Sequence, residues 1–240
     1  MTSRERIMAV LEGRTPDRLV WWPELNDGFI RAVAESHGPV PTDLDRQTFV
    51  NHVIGADQLH RAVAVKTAWP TVQTIVEKDG DVTVTRHITA KGDLTQRQQP
   101  NAVAKTNYTR QHLLRGPETF EPFKAYYEAA VYEPDYRRVE AIHAQVGDTG
   151  LATIDAPNTP LMHLIMWDMG IEPTLMALYD YPEQMREILD LMHERNKEYY
   201  HIACRAPGPV VRPMEDTSTM LTSPAMYRQW ALDHLKDYAA

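Results

Sequence analysis

The chain has 240 residues, 43% apolar and 24% charged, which suits a soluble protein with a sizeable core. Its net charge of -8 argues against nucleic acid or an anionic membrane as a general partner. The single cysteine, Cys204, excludes an intrachain disulfide and a cysteine metal cluster, and no apolar run approaches the roughly 18 residues that span a bilayer.

In chain order, Thr2 and Glu5 form a capping box that opens a helix. Ile7, Met8, Val10 and Leu11 are its expected buried stripe, and Gly13 its stop. "LVWWP", residues 19 to 23, fits a short buried strand ended by Pro23. "DGFIRAVAESHG" is helical up to Gly38, and "FVNHVIGADQL" is ambiguous, with a strand placed near residue 53. Residues 71 to 99 are rich in Val, Ile and Thr and are interrupted by "KDGD" and "AKGD". They predict an antiparallel β excursion with hairpin turns.

Helical spacing then dominates through "GPETFEPFKAYYEAA" and "DYRRVEAIHAQVG". "LATIDAP" is a candidate strand, and "TPLMHLIMWDMG" an apolar helix. The longest predicted helix starts near Pro182 and carries Met185, Ile188, Leu189, Met192, Asn196, Tyr199 and Ala203 on one face. Cys204 reads as a structural thiol at its end, and His193 and His201 as solvated. "GPVVRPMED" is the next strand, and Ser223-Pro224 opens a last helix with Tyr227, Trp230, Ala231, Leu235 and Tyr238 inward. Buried strands near 19, 53, 151 and 209 thus alternate with helices, the pattern of parallel α/β units. The reading is one domain over residues 1–240.

The order of these segments carries a resemblance. "MTSRERIMAVLEGRTPDRLVWWP", "VIGADQL", the "GDL" after the hairpin, "YPEQMREILDLM" and "EDTSTMLTSPAMYRQWALDHLKDY" together resemble the uroporphyrinogen decarboxylase superfamily, most closely its methylcobalamin:coenzyme M methyltransferase-like branch. The resemblance implies a (β/α)8 TIM barrel with its site at the C-terminal strand ends. Four strands are about half of that barrel. The resemblance therefore implies that this chain is the N-terminal half of a truncated barrel, with the last βα units beyond Ala240. An open edge of that kind would invite self-association.

Two departures from the family pattern direct the functional reading. Decarboxylases carry an arginine-rich motif after the first strand, as a substrate with many carboxylates needs guanidinium forks. Here the segment reads "WWPELNDGFIRAV", with Glu24 and Asp27 where positive charge is wanted. The methyltransferase branch holds zinc through a His-x-Cys motif and a later cysteine, so that a thiol binds as thiolate. That motif would also lie beyond Ala240. No metal site is expected within the chain itself.

The candidate catalytic residues are Asp57 and Asp216. The resemblance puts Asp57 at the end of the second strand. Asp216 follows an apolar strand, where alternation lets only one of Glu215 and Asp216 face inward, and Asp216 is favoured. Trp22, Glu24, Asn158, His163 and Thr217 are the candidate substrate-binding residues, and Asp155 a further mouth residue. The leading expectation is a corrinoid/thiol methyltransferase-type enzyme of the cytoplasm. It would act on a small-molecule substrate, receive the methyl group from a corrinoid donor or corrinoid protein, and use zinc in its full-length form. The alternatives are a uroporphyrinogen decarboxylase of porphyrin biosynthesis and an inactive fragment or interaction module.

Overall fold

The structure is a computed structural model that describes residues 1–25, 27–38, 42–102 and 106–240. It is a mixed α/β chain. The first part runs α1 (Ser3–Leu11), α2 (Asp27–His37), α3 (Asp43–Ile54) and β1 (Gln58–Ala62). Then come β2 (Val65–Ala68), β3 (Gln73–Asp79), β4 (Val82–Thr89), β5 (Gly92–Asn101) and β6 (Thr106–Gln111). Next are α4 (Pro117–Glu128), β7 (Val131–Pro134), α5 (Arg137–Val146) and β8 (Gly150–Ala156). The chain continues with α6 (Pro160–His163), a π-helical turn (Leu164–Asp168), α7 (Ile171–Asp180), α8 (Pro182–Ala203) and β9 (Val210–Pro213). Helices α9 (Pro224–Trp230) and α10 (Leu232–Ala239) complete it. Among the described residues the strands form three open sheets, ordered β1-β8-β9, β2-β7 and β3-β4-β5-β6.

The backbone gathers into two compact units. The first comprises Met1–Val65, Pro134–Asp155 and Ala203–Arg212; the second comprises Lys66–Glu133, Ala156–Ile202 and Pro213–Ala240.

In the first unit, β1 runs parallel to β8 with Gln58 opposite Gly150. β8 is buried along nearly its whole length, as its unbroken small and apolar run requires of a strand covered on both faces. Ile7, Leu59 and Leu151 form a core against which Met8, Val20, Trp22 and Val210 pack. Several expectations change here. The capping box of Thr2 and Glu5 is present, but Val10 and Leu11 are exposed, while Arg6 and Ala9 are buried. Arg6 is drawn inward by carboxylates, which outweighs its preference for water. Residues 19–23 form no strand, and Leu19 is 83% exposed. The strand expected near residue 53 is the end of α3, which Gly55 terminates in the left-handed region at φ 73. The true strand, β1, starts after it.

In the second unit, the expected β excursion is a four-stranded antiparallel meander that runs past residue 99 to Gln111. Its turns sit where expected, with Asp79 opposite Val82 and Thr89 opposite Gly92. The main core joins Leu94 and Leu114 to Phe123 of α4 and to Met185, Ile188, Leu189 and Met192 of α8. The single apolar helix expected over "TPLMHLIMWDMG" is instead α6 followed by the π turn, in which Met169 N–H donates to Leu164 O at 2.9 Å. The last helix is likewise two, α9 and α10, broken at Ala231. Cys204 lies exposed just past α8.

Candidate active site

The second unit contains a cavity of about 270 Å³. Its wall includes the rings of Trp69, Tyr126, Tyr127, Tyr132 and Tyr199, together with His163, Asp168 and Asn196. None of the described lining residues is a lysine or arginine. Trp69 and Tyr126 stack with centroids 5.2 Å apart and planes 13° apart. Tyr132 and Tyr199 meet edge to face at 5.7 Å, an arrangement that aromatic quadrupoles favour.

The polar centre of this wall is built by the π turn. A regular α-helix turns positions i and i+5 to different faces, because its neighbours are i+3 and i+4. The wider π turn brings the carboxylate five residues on back over its start. His163 Nε2 accordingly lies 3.3 Å from Asp168 Oδ2. The Tyr127 hydroxyl donates to the same oxygen at 2.9 Å. The backbone fixes the turn, since Leu114 N–H donates to the Asp168 carbonyl at 2.8 Å. Burial, with the adjacent Asp168 carboxylate, holds the Tyr127 hydroxyl well above the ordinary phenol range, so it stays a donor. Burial likewise raises Tyr126.

A second polar cluster in this unit lies on the segments that follow β8 and β9. Thr159 N–H and Thr159 Oγ1 both donate to the Glu215 carboxylate, at 2.8 and 2.6 Å. Asn158 donates from its side chain to the Met214 carbonyl, and its own carbonyl accepts from Asn196 Nδ2 at 3.0 Å. Burial pushes the Glu215 carboxyl up, against the opposing effect of the two Thr159 donors. Asp216 turns aside to accept from Ser218 N–H at 2.8 Å, and Thr217 is exposed. Glu215, rather than the favoured Asp216, is thus the acid tied to the loop after β8.

The first unit receives the other expected residues. Asp57 precedes β1 instead of ending a strand, and its side chain is fully buried. Its Oδ1 accepts from Arg6 Nη1 at 2.5 Å, Ser3 Oγ at 2.9 Å and Arg18 Nη2 at 2.9 Å. Its Oδ2 accepts from Arg18 Nη1 at 3.0 Å and Trp21 N–H at 2.9 Å. Burial alone would raise this carboxyl, but the Trp21, Ser3, Arg6 and Arg18 donors outweigh it and hold it below the usual carboxylate range. A carboxylate engaged by five donors is a structural tie.

Trp22 and Glu24 enter a different charged cluster. Arg212 stacks on the Trp22 ring at 5.4 Å and donates to Asp155 Oδ1 at 3.0 Å. Arg61 donates to Asp155 Oδ2 at 2.9 Å and to Glu24 Oε1 at 3.0 Å. The Asp27 side chain lies outside the described residues. Of the expected residues, His163 alone lines the aromatic cavity. Its partners Tyr127 and Asp168 were not anticipated, as their sequence signals are those of ordinary core and turn residues, and Glu215 was weighed only as the alternative to Asp216. His193, read as solvated, is buried, with Tyr238 Oη at 2.9 Å and Asp237 Oδ2 at 3.0 Å.

Comparison with protein-family models, with curated proteins and with solved structures finds no match to this chain. Among the described residues no group of three or more His, Cys, Asp or Glu side chains is placed to hold a metal ion. Among them, too, no helix is long and apolar enough to cross a membrane.

Proposed function

We propose that this chain is a uroporphyrinogen decarboxylase-like barrel protein with corrinoid/thiol methyltransferase-type chemistry, its small-molecule substrate held in the aromatic cavity. The observation that carries the reading is the cavity wall, which joins five aromatic rings to a His163–Asp168 pair and has no lysine or arginine among its described residues. Such a wall suits a small uncharged or cationic substrate and repels a polycarboxylate. Arg61 and Arg212, the cations on β1 and β9, are engaged by Asp155 and Glu24, which disfavours the decarboxylase alternative. The parallel pairing of β1 with β8 supports a barrel of βα units, with polar segments after the strands.

A corrinoid, when bound, supplies an electrophilic methyl group. In this reading His163 takes the proton of the acceptor thiol as its sulfur bonds to the methyl carbon. A bound corrinoid would give up the methyl group to that sulfur and would keep the electron pair of the bond it loses. Asp168 stabilises the imidazolium that forms, and Tyr127 holds the Asp168 carboxylate in place through Oδ2. The zinc that the family resemblance implies finds no donor set among the described residues, so no step runs through it.

The test incubates the protein with methylcobalamin and 2-mercaptoethanol and follows the methylated thiol by mass spectrometry. The wild-type chain is expected to form the thioether, and His163→Gln to lower the rate by about 100-fold or more, as loss of a general base does. A wild-type chain without transfer, or a His163→Gln variant of unchanged rate, would overturn the reading.

A further inference from the structure

We infer that the aromatic cavity is a binding site for a small methylated organic cation of the quaternary ammonium class. The inference rests on the reading of this cavity as the small-molecule site and concerns a ligand other than the acceptor thiol. Three features of the wall converge on it. The first is the density of electron-rich ring faces and edges around about 270 Å³, a volume of the order needed for a few methyl groups and a short chain. Cations bound against such rings gain attraction from the ring quadrupoles, and the gain grows when water is excluded.

The second feature is Asp168, only 8% exposed, whose Oδ2 serves Tyr127 and His163. A carboxylate in an apolar wall is stabilised by an opposite charge. The described wall has no lysine or arginine to set against the Asp168 carboxylate. The third is the position of a guanidinium beside the wall. Arg195 stacks on Tyr132 at 5.2 Å, but it is turned to Glu198 at 2.6 Å and to the Ala130 carbonyl. It touches the lining residues Tyr132 and Ala130, but its charge is matched by the Glu198 carboxylate. A quaternary ammonium meets the ring faces through its methyl groups and needs no hydrogen-bond acceptor.

The experiment titrates the full chain at neutral pH with choline and with 3,3-dimethyl-1-butanol, its uncharged carbon isostere, by calorimetry. Choline is expected to bind about tenfold to thirtyfold more tightly than the isostere. Tyr126→Leu and Asp168→Asn are each expected to weaken choline about tenfold and to leave the isostere nearly unchanged. Equal affinity for the two probes, or binding of neither, would overturn the inference. Because both probes meet the wild-type chain, the comparison survives even where a variant fails to fold. Methyl transfer to the thiol without choline binding would sink this inference alone. Choline binding without methyl transfer would sink the methyltransferase reading and leave the cation site standing.

Discussion

Replacing Asp57 by alanine removes a carboxylate that five donors share, and the structure sets the size of the loss. Breaking one partner of a buried ion pair costs about 3–5 kcal/mol, mostly because the other charge is left uncompensated. Two facts reduce that figure here. Arg6 keeps Asp17, whose carboxylate accepts from Arg6 Nε at 2.6 Å, and the Arg18 side chain is 44% exposed and can rehydrate. One fact raises it, since the Trp21 N–H loses its acceptor. The net expectation is about 3 kcal/mol, or a fall in melting temperature of about 6–12 °C for a chain of this size. Urea and thermal unfolding of Asp57→Ala and Asp57→Asn measure it, with Asn expected to lose about 2 kcal/mol because it keeps the shape and one acceptor. The methyl transfer proposed above should then proceed, per folded molecule, within about twofold of wild type in both. An Asp57→Asn protein of unchanged stability and abolished activity would refute the structural assignment. The pH dependence follows in sign. The folded carboxyl is held below its unfolded value, so its stabilisation is complete above about pH 4 and is lost as pH falls through the folded value.

His60 should shape the acid limb at higher pH. It is fully buried on β1, with Nε2 3.0 Å from Gln58 Oε1 and Nδ1 without a partner, and burial lowers its pKa from 6.5 to about 4. Because the unfolded chain takes up this proton first, stability should fall by about 3 kcal/mol as pH drops from about 6.5 to about 4 and then level off in this contribution. Denaturant midpoints across that range check it, and His60→Leu should flatten the slope. Gly150→Ala should cost about 2 kcal/mol, because its Cβ would sit 2.8 Å from Gln58 O, 2.8 Å from Gln58 Cβ and 2.9 Å from Val146 Cβ. A loss under about 0.5 kcal/mol would show that β1 and β8 pair less tightly than the register implies.

Features set by neighbours in sequence were legible without coordinates. The Thr2–Glu5 capping box, the Ser223 cap that accepts from Met226 N–H, the two hairpin turns and the apolar stripe of α8 each depend on a few adjacent residues, and all are present. The failures have a common cause. "LVWWP" has strand composition and packs on Leu59 of β1, but its backbone is held by two hydrogen bonds between Trp21 and Asp57, one of them to the Asp57 side chain, and not by a strand ladder. "FVNHVI" is apolar enough for a strand, yet its Thr42 cap and Gly55 stop make it a helix. His193 has a polar side chain on a long helix, and only the return of α10 buries it.

The site divides in the same way. The alternation of apolar strands with helices already pointed to a mixed α/β protein with acids near the strands, because chain polarity and residue type suffice for that, whereas His163 was a candidate through the family resemblance. Which acid turns toward the loop after β8 depended on Thr159 offering two donors to Glu215. Whether Asp57 was free for chemistry depended on Arg6 and Arg18 arriving from a distant stretch of chain. The partnership of His163 with Asp168 depended on a π turn, whose wider pitch no residue-by-residue propensity encodes. Local signals act over a turn or two of backbone, whereas burial and charge pairing sum over the whole fold, and it is the second that assigned each polar side chain its role.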